Sequence, residues 1–205
     1  MMVVKTMNKY HKQYCRALAI VHGASELQIV GHIKSKLRLP LECYSRNNGR
    51  TSIQINSLMD VLNNEKFKKP KNFFKEYPNI NHYKNIPNNF AIFTVMDTDD
   101  CDEKTRSQYI NKSLFNGHWL RPYIIPIYNM PNLEEILVKC KIIDKPLSNK
   151  EKIPTYKSIF PIASDVSNHE EIENLKTILS KYDKTNLNEF LEYCLKWAYD
   201  SKIKL

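Results

Sequence analysis

The sequence predicts an α/β protein with a mostly parallel sheet flanked by helices and a C-terminal helical appendage. Two runs, at residues 16–23 and 90–97, are almost continuously apolar, which is typical of strands buried on both faces. Segments with helical spacing of apolar residues follow these runs. Strands that alternate with helices in this way favour a parallel sheet with right-handed crossovers.

The first strand is predicted over residues 16–23, and an amphipathic helix follows it over residues 25–37. Pro40 terminates that helix because proline cannot continue the hydrogen-bond pattern. A short second strand is predicted over residues 41–45. Apolar residues at helical spacing then predict a second helix over residues 51–63.

The middle of the chain, residues 64–89, is rich in lysine and interrupted by three prolines. It predicts one short helix near residues 73–77 and loop elsewhere. The remaining predicted elements are a buried strand starting at residue 90, a helix over 103–115, an edge strand with two prolines over 120–128 and a helix over 132–141.

Three parts of the chain differ in composition. Residues 1–15 are polar and are predicted to be a flexible N-terminal arm, and residues 16–144 form the α/β domain. Residues 145–205 are predicted to be a connection followed by two helices, over 168–182 and 187–201, that pack on the domain.

Composition excludes several classes of protein. No apolar run approaches the ~20 residues of a membrane span, and the first residues lack the pattern of a signal peptide. The five cysteines are scattered without a C-x-x-C pair, which argues for a reducing compartment and against a zinc ribbon. We therefore expect a cytoplasmic protein that does not contact membranes.

The chain is basic, with 31 Lys and Arg against 22 Asp and Glu and a formal net charge of +9. Such a charge favours a polyanionic partner, and nucleic acid is the first candidate. A lysine- and asparagine-rich composition can equally reflect genome bias, so the charge alone leaves both alternatives open.

Three carboxylates follow the strand of residues 90–97 at its end: Asp97, Asp99 and Asp100. Ligands bind at the C-terminal ends of strands in open α/β sheets, and clustered like charges favour a bound divalent cation. The alternative is an Asp-rich turn that caps the helix starting near Glu103.

The first strand ends at His22 and Gly23, and Glu26 follows in the first turn of the next helix. Gly23 is expected to let the backbone turn sharply there. If the two strands are neighbours, Glu26 and the aspartates meet at one edge of the sheet. An oxygen-rich site of this kind suits Mg²⁺ or Mn²⁺ and phosphate chemistry.

The order of these motifs resembles the Toprim fold of topoisomerases, primases, OLD-family nucleases and small RloB-like proteins. Ala19-Ile-Val-His22-Gly23-Ala-Ser-Glu26 resembles the first Toprim motif except at His22, and Asp97-Thr-Asp99 resembles the second. The resemblance covers roughly residues 16–140. It implies a nuclease of a prokaryotic antiphage system that cleaves phosphodiester bonds of DNA or RNA.

The resemblance also implies roles for single residues. His22, Glu26, Asp97 and Asp99 would be catalytic, and Glu26, Asp97, Asp99 and Asp100 would hold Mg²⁺ or Mn²⁺. The family has a glutamate at the position of His22. A histidine there can bind a transition ion or transfer protons, or the site is impaired. The second alternative is a non-catalytic module that binds nucleic acid or a partner ATPase.

Further candidates lie outside the two motifs. The segment Ile127–Glu135 resembles the Asn-Pro-x-Phe-Glu segment of RloB-like proteins and would bring Asn129, Asn132 and Glu134 to the same face, although Asn132 also suits a helix N-cap. The edge strand and the C-terminal helices would allow a homodimer. Predicted nucleic-acid contacts are Arg46 and Arg50 at a helix start, and Lys66, Lys68 and Lys69, interleaved with Phe67, Phe73 and Phe74, which are alternatively core residues.

Overall fold

A computed structural model describes residues 14–162 and 167–202 of the chain. Four strands form one parallel sheet in the order β2-β1-β5-β6, and β3 and β4 form a separate antiparallel hairpin. The predicted α/β class with a mostly parallel sheet is therefore confirmed. In chain order the strands are β1 (Ala17–Val21), β2 (Glu42–Tyr44), β3 (His82–Tyr83), β4 (Ile86–Pro87), β5 (Ala91–Asp97) and β6 (Ile124–Asn129).

Helices cover both faces of the sheet. Alternate residues of β1 point to opposite faces, so Ala19 and Val21 join one hydrophobic cluster while Leu18 and Ile20 join the other. The first cluster includes α1 and α5 to α8, and the second includes α2 to α4. The helices are α1 (Ala24–Leu37), α2 (Leu58–Leu62), α3 (Pro70–Glu76), α4 (Glu103–Ile110), α5 (Leu133–Lys139), α6 (Asn149–Ile159), α7 (His169–Leu179) and α8 (Leu187–Lys202).

Several predicted segments differ from the structure: the strand predicted over 120–128 begins only at Ile124, and β3 and β4 lie in a stretch predicted as loop. The helix expected over residues 51–63 is shorter: a 3₁₀ turn over Ile55–Ser57 precedes α2. The connection expected after residue 144 contains α6, which accommodates Pro154 in its second turn. The sequence signal for α6 is the pair Ser148 and Glu151, because Glu151 accepts hydrogen bonds from the N–H and the hydroxyl of Ser148.

Most of the predicted N-terminal arm, residues 1–13, lies outside the described residues. Its last residue, Cys15, is buried and forms a β-bridge with Ile80. The arm therefore gives way to ordered structure before β1 begins.

Strand β6 is an edge of the sheet, and its outer side is already hydrogen-bonded. The side chain of Asn186 accepts the N–H of Tyr128 at 2.8 Å and donates to the carbonyl of Pro126 at 3.0 Å. These bonds replace those of a further strand. The β6 backbone is therefore not open to a second copy of the chain at these positions, and a homodimer through this edge stays a prediction without support.

No helix in the described part of the chain is both long and apolar enough to cross a membrane.

Candidate functional site

The C-terminal ends of β1 and β5 lie side by side. Val21 is paired with Val95, and the N–H of His22 donates to the carbonyl of Val95 at 2.9 Å. Because the strands are neighbours, the two acidic motifs meet at one edge of the sheet, as their sequence positions predict. The site is built from this edge outward.

Glu26 is a buried carboxylic acid in the first turn of α1. Its side chain is 3% exposed, and its Oε2 accepts the N–H of Gly23 at 2.8 Å. Burial, and to a smaller extent the negative charge of Asp97, raise the pKa of Glu26 to about 8. At neutral pH the folded protein therefore keeps a proton on this carboxyl group when no cation compensates the charge.

Asp97 is held in place at the end of β5. Its Oδ1 accepts the N–H of Leu133, the first residue of α5, at 2.9 Å and the side-chain amide of Asn129 at 3.2 Å. Burial raises the pKa of Asp97 to about 6, against the lowering effect of His22 and these two hydrogen bonds. Asn129 is itself fixed by the hydroxyl of Thr185, which donates to its Oδ1 at 2.9 Å.

The aspartates after β5 have separate roles. Asp102 caps α4 by accepting the N–H of Thr105 at 2.7 Å, so the cap does not need the earlier carboxylates. Asp99 is exposed and accepts the side-chain amide of Asn132 at 3.0 Å. Asn132 also caps α5 through Glu135, so both predictions made for it hold together.

His22 and Asp100 form the least satisfied polar pair of the site. His22 Nδ1 lies 3.9 Å from Asp100 Oδ2, which is too far for a hydrogen bond. Among the described residues, neither Nδ1 of His22 nor either carboxylate oxygen of Asp100 has a hydrogen-bond partner, although these atoms are buried. Burial raises the pKa of Asp100, while His22 and the backbone N–H groups of Asp100 and Ile55 lower it. Buried polar atoms without partners are rare, and an ordered water, a ligand or an ion can supply the missing partner.

The loop after β2 closes the site on one side. Gly49 has φ +79°, and a Cβ atom built on it would lie 2.8 Å from Ala24 Cα, so only glycine fits there. By contrast, Gly23 has an extended φ of −156°, which any residue adopts, so the backbone bends at His22 and Gly23 as expected but does not need a glycine to do so. The N–H of Ile53 donates to the carbonyl of His22 at 2.7 Å.

This contact places Arg46 and Arg50 in the loop that borders the acidic edge. The loop is also tied to the aspartates, because the side chain of Asn56 donates to the carbonyl of Asp100 at 3.1 Å. Arg50 is exposed and Arg46 is partly buried. The loop therefore carries two cationic residues and is tied to both acidic motifs, and a pair of cations suits a ligand that carries phosphate groups.

The lysines of the α2–α3 segment lie elsewhere, on the face covered by α2 to α4. Lys66, Lys68 and Lys69 are exposed, and Lys66 pairs with Glu76. The aromatic residues between and after them do not accompany them at the surface. Phe67, Phe73 and Phe74 belong to the core, which is the second of the two alternatives that the sequence leaves open.

Helix α6, which the sequence did not predict, contributes charge near Glu26. Lys152 Nζ lies 2.6 Å from Glu134 Oε2, and its charge lowers the pKa of Glu26 against the larger effect of burial. Glu134 also accepts the N–H of Leu147 at 2.7 Å. Glu134 thus anchors the segment that leads into α6 and does not contact the aspartates through these bonds.

The donor set fits a hard divalent cation in its chemistry. Glu26, Asp97 and Asp100 supply buried oxygen atoms with raised pKa values, and a cation would remove the repulsion among them. Within residues 14–162 and 167–202, however, no three His, Cys, Asp or Glu side chains are arranged closely enough to hold a metal ion. A closed set of ligands therefore requires side-chain movement.

No protein-family model matches this chain, and neither a curated protein nor a solved structure matches it. The resemblance to Toprim proteins therefore rests on the two motifs and the strand order alone.

Proposed function

We propose that this protein is a divalent-metal-dependent nuclease of the Toprim type that hydrolyses phosphodiester bonds of DNA or RNA. The main support for the proposal is that Glu26, in the helix after β1, and Asp97, at the end of the neighbouring strand β5, are both buried at the C-terminal ends of these strands. There the negative charge of one carboxylate makes ionisation of the other less favourable. A protein that needed these carboxyl groups only for its fold would gain more from apolar residues at the same positions.

In this proposal Glu26, Asp97 and Asp99 hold Mg²⁺ or Mn²⁺, and Asp100 supports them. The bound ion would polarise the phosphoryl oxygen and lower the pKa of the attacking water. Arg46 and Arg50 bind the phosphates that flank the scissile bond. As the water oxygen bonds to phosphorus and the bond to the leaving oxygen breaks, the imidazole of His22 accepts the proton of the water, and Asp100 stabilises the imidazolium.

The second candidate is a catalytically impaired module that binds nucleic acid or a partner ATPase. Two observations favour it: His22 replaces the glutamate of the family motif, and the described carboxylates are not arranged as a closed ligand set. A role in phage defence and a partner ATPase follow only from the resemblance and stay predictions.

The deciding experiment compares the wild type with Asp97→Asn on plasmid, single-stranded DNA and bulk tRNA, each with Mg²⁺ or Mn²⁺. Asparagine keeps the acceptor for Leu133 and Asn129 but removes the charge. We expect metal-dependent cleavage that the substitution reduces on the order of 10³-fold. Mn²⁺ should also raise the Tm of the wild type and not of the variant.

Cleavage that Asp97→Asn leaves unchanged, or cleavage in the presence of a chelator, would contradict the proposed site. If neither protein cleaves, a His22→Glu variant separates the two candidates. Cleavage by that variant would show that His22 impairs an otherwise complete site, and continued inactivity together with an Mn²⁺-independent Tm would contradict a metal site altogether.

A further inference from the structure

The β3–β4 hairpin exposes an apolar pair far from the acidic edge. Tyr83 and Ile86 are directly paired across the two strands, and they are 72% and 61% exposed. They are the two most exposed large apolar side chains among the described residues. Directly paired side chains of this kind form a small continuous apolar patch on the surface.

The hairpin is firmly anchored at its base. The ring of His82 stacks on Phe74 of α3 with centroids 3.8 Å apart, and Pro87 is buried. Lys84 and Asn85 both have positive φ, which gives the tight turn whose twist matches the strands. Tyr83 is therefore presented on a defined support instead of a loose loop.

The surroundings of the hairpin are cationic. Residues 64–89 contain six lysines against two glutamates, and residues 77–96 contain no acidic residue. Lys84 Nζ lies 5.2 Å from the centre of the Tyr83 ring. Lys71 lies one turn before Phe74 on the same face of α3, and both Lys71 and Lys75 are exposed.

We propose that this hairpin and α3 form a binding surface for single-stranded nucleic acid, with Tyr83 stacking on a base and Lys71, Lys75 and Lys84 contacting phosphates. An exposed aromatic ring among cationic side chains is the arrangement that binds single strands without sequence preference. The charge also selects the ligand, because a second copy of this basic chain would bring like charges together.

This surface lies near the N-terminal ends of the strands, whereas the proposed metal site lies at their C-terminal ends. Asn79 accepts the N–H of Cys15 at 2.9 Å, two residues before β1 starts, and β5 then runs to Asp97 at the other end. The length of β5 separates the two places by about 20 Å. The surface therefore anchors a strand at a distance from the chemistry, and it rests on the proposed function only for the choice of a nucleic acid.

The test measures binding without cleavage. Full-length protein is titrated into fluorescein-labelled oligothymidylate of about 20 nucleotides in the presence of EDTA, and anisotropy is recorded. We expect Tyr83→Ala to weaken binding about tenfold, which lies within the range for removing one stacked base, and Tyr83→Phe to bind like the wild type. Tyr199→Ala, at a partly exposed tyrosine of α8, is the matched control and should change nothing.

The lysine substitutions are expected to change the salt dependence of binding. Lys84→Ala and Lys71→Ala should each lower the slope of log K against log salt concentration by about 0.7, the value for one phosphate contact on a single strand. Tyr83→Ala should leave that slope unchanged, because stacking releases no counterions.

Three results would overturn the inference: equal binding by Tyr83→Ala and the wild type, an equal loss in Tyr199→Ala, or a dimer that Tyr83→Ala converts to a monomer without a change in binding. The outcome is separable from that of the cleavage experiment. Tyr83-dependent binding without any cleavage would contradict only the proposed nuclease activity. Cleavage with Tyr83-independent binding would contradict only the proposed binding surface.

Discussion

Helix α1 carries buried or half-buried ionisable groups in both halves, and the two halves differ in how these groups are compensated. Near its end, His32 Nε2 and Lys36 Nζ lie 3.1 and 2.8 Å from the two carboxylate oxygens of Glu171, and His32 Nδ1 lies 2.8 Å from the carbonyl of Pro161. At its start, Glu26 is buried beside Asp97, another acid. The first group links α1 to α7, whereas burial of the second raises the pKa of Glu26 and makes its ionisation costly to the fold.

The difference separates two uses of buried charge. A charge with an opposite charge at hydrogen-bond distance supports packing, and removing one partner leaves the other unpaired. Glu26 and Asp97 also accept backbone N–H groups, but ionising both of them opposes packing, and strongly perturbed carboxyl groups of this kind favour a functional site. The following predictions test this distinction, and their expected effects decrease in order.

The largest effect is expected for Glu26→Gln in the presence of a chelator. The pKa of Glu26 is raised from 4.5 to about 8 in the folded protein. Between these values the unfolded chain loses the proton and the folded protein keeps it, so stability falls as pH rises through this range. Glutamine keeps the acceptor for Gly23 and cannot ionise, so the variant should be more stable than the wild type at pH 8 by on the order of 3 kcal/mol.

Thermal unfolding between pH 5 and pH 8 measures this effect, with Glu170→Gln, at an exposed glutamate of α7, as the control. The two curves for Glu26→Gln and the wild type should meet towards pH 5. A variant that is less stable than the wild type at every pH would assign Glu26 to the fold and remove the contrast between the two halves of α1.

The opposite sign is expected for Glu171→Ala. This substitution leaves His32 and Lys36 without their common carboxylate, and His32 is buried. Breaking a fully buried pair costs about 3–5 kcal/mol. Because the Glu171 side chain is 34% exposed, we expect a loss of about 2 kcal/mol, measured by urea unfolding at pH 7.

Glu170→Ala provides the matched comparison, since it removes a neighbouring glutamate that is exposed. Cleavage activity per folded molecule should be unchanged in Glu171→Ala. A loss of activity without a loss of stability would mean that the far half of α1 also belongs to the site.

The smallest effect is expected for Thr185→Val, which removes the hydroxyl that donates to Asn129 behind Asp97 and accepts the N–H of Leu187 at the start of α8. Partners that orient a functional side chain cost about tenfold or more in activity when they are lost. We therefore expect kcat/KM to fall about tenfold, while the loss of the two hydrogen bonds lowers the free energy of unfolding by about 1–2 kcal/mol. Thr177→Val, at an exposed threonine of α7, should lower neither quantity measurably.

The sequence predicts the fold class and the place of the site because both depend on local patterns. The continuous apolar runs that became β1 and β5 identify buried strands, and the acids that follow them mark the edge where ligands bind. The motifs alone do not show that the two strands are neighbours, because this depends on the topology of the sheet. From the sequence, the acids are expected to meet only if the strands are adjacent.

What the sequence did not predict depends on long-range contacts. Helix α6 contains Pro154, which argues against a helix, and its packing on α1 overrides that local signal. Whether Phe73 is buried and Tyr83 is exposed depends on which face of its helix or strand each side chain occupies. The sequence around neither residue has a periodic apolar pattern that would predict that face. The link from Thr185 to Asn129 joins residues 56 positions apart and has no local signal.

The hydrogen bond from Thr185 to Asn129 has a consequence for the synthesis of the protein on the ribosome. Asp97 is oriented by Asn129, and Asn129 is completed by Thr185, which is translated 56 residues later. At about 5–20 residues per second, the ribosome needs about 3 to 11 s to reach Thr185 after Asn129. During that interval the nascent chain lacks the hydroxyl that orients Asn129, so a nuclease of this design would not reach full activity beside the messenger RNA that encodes it.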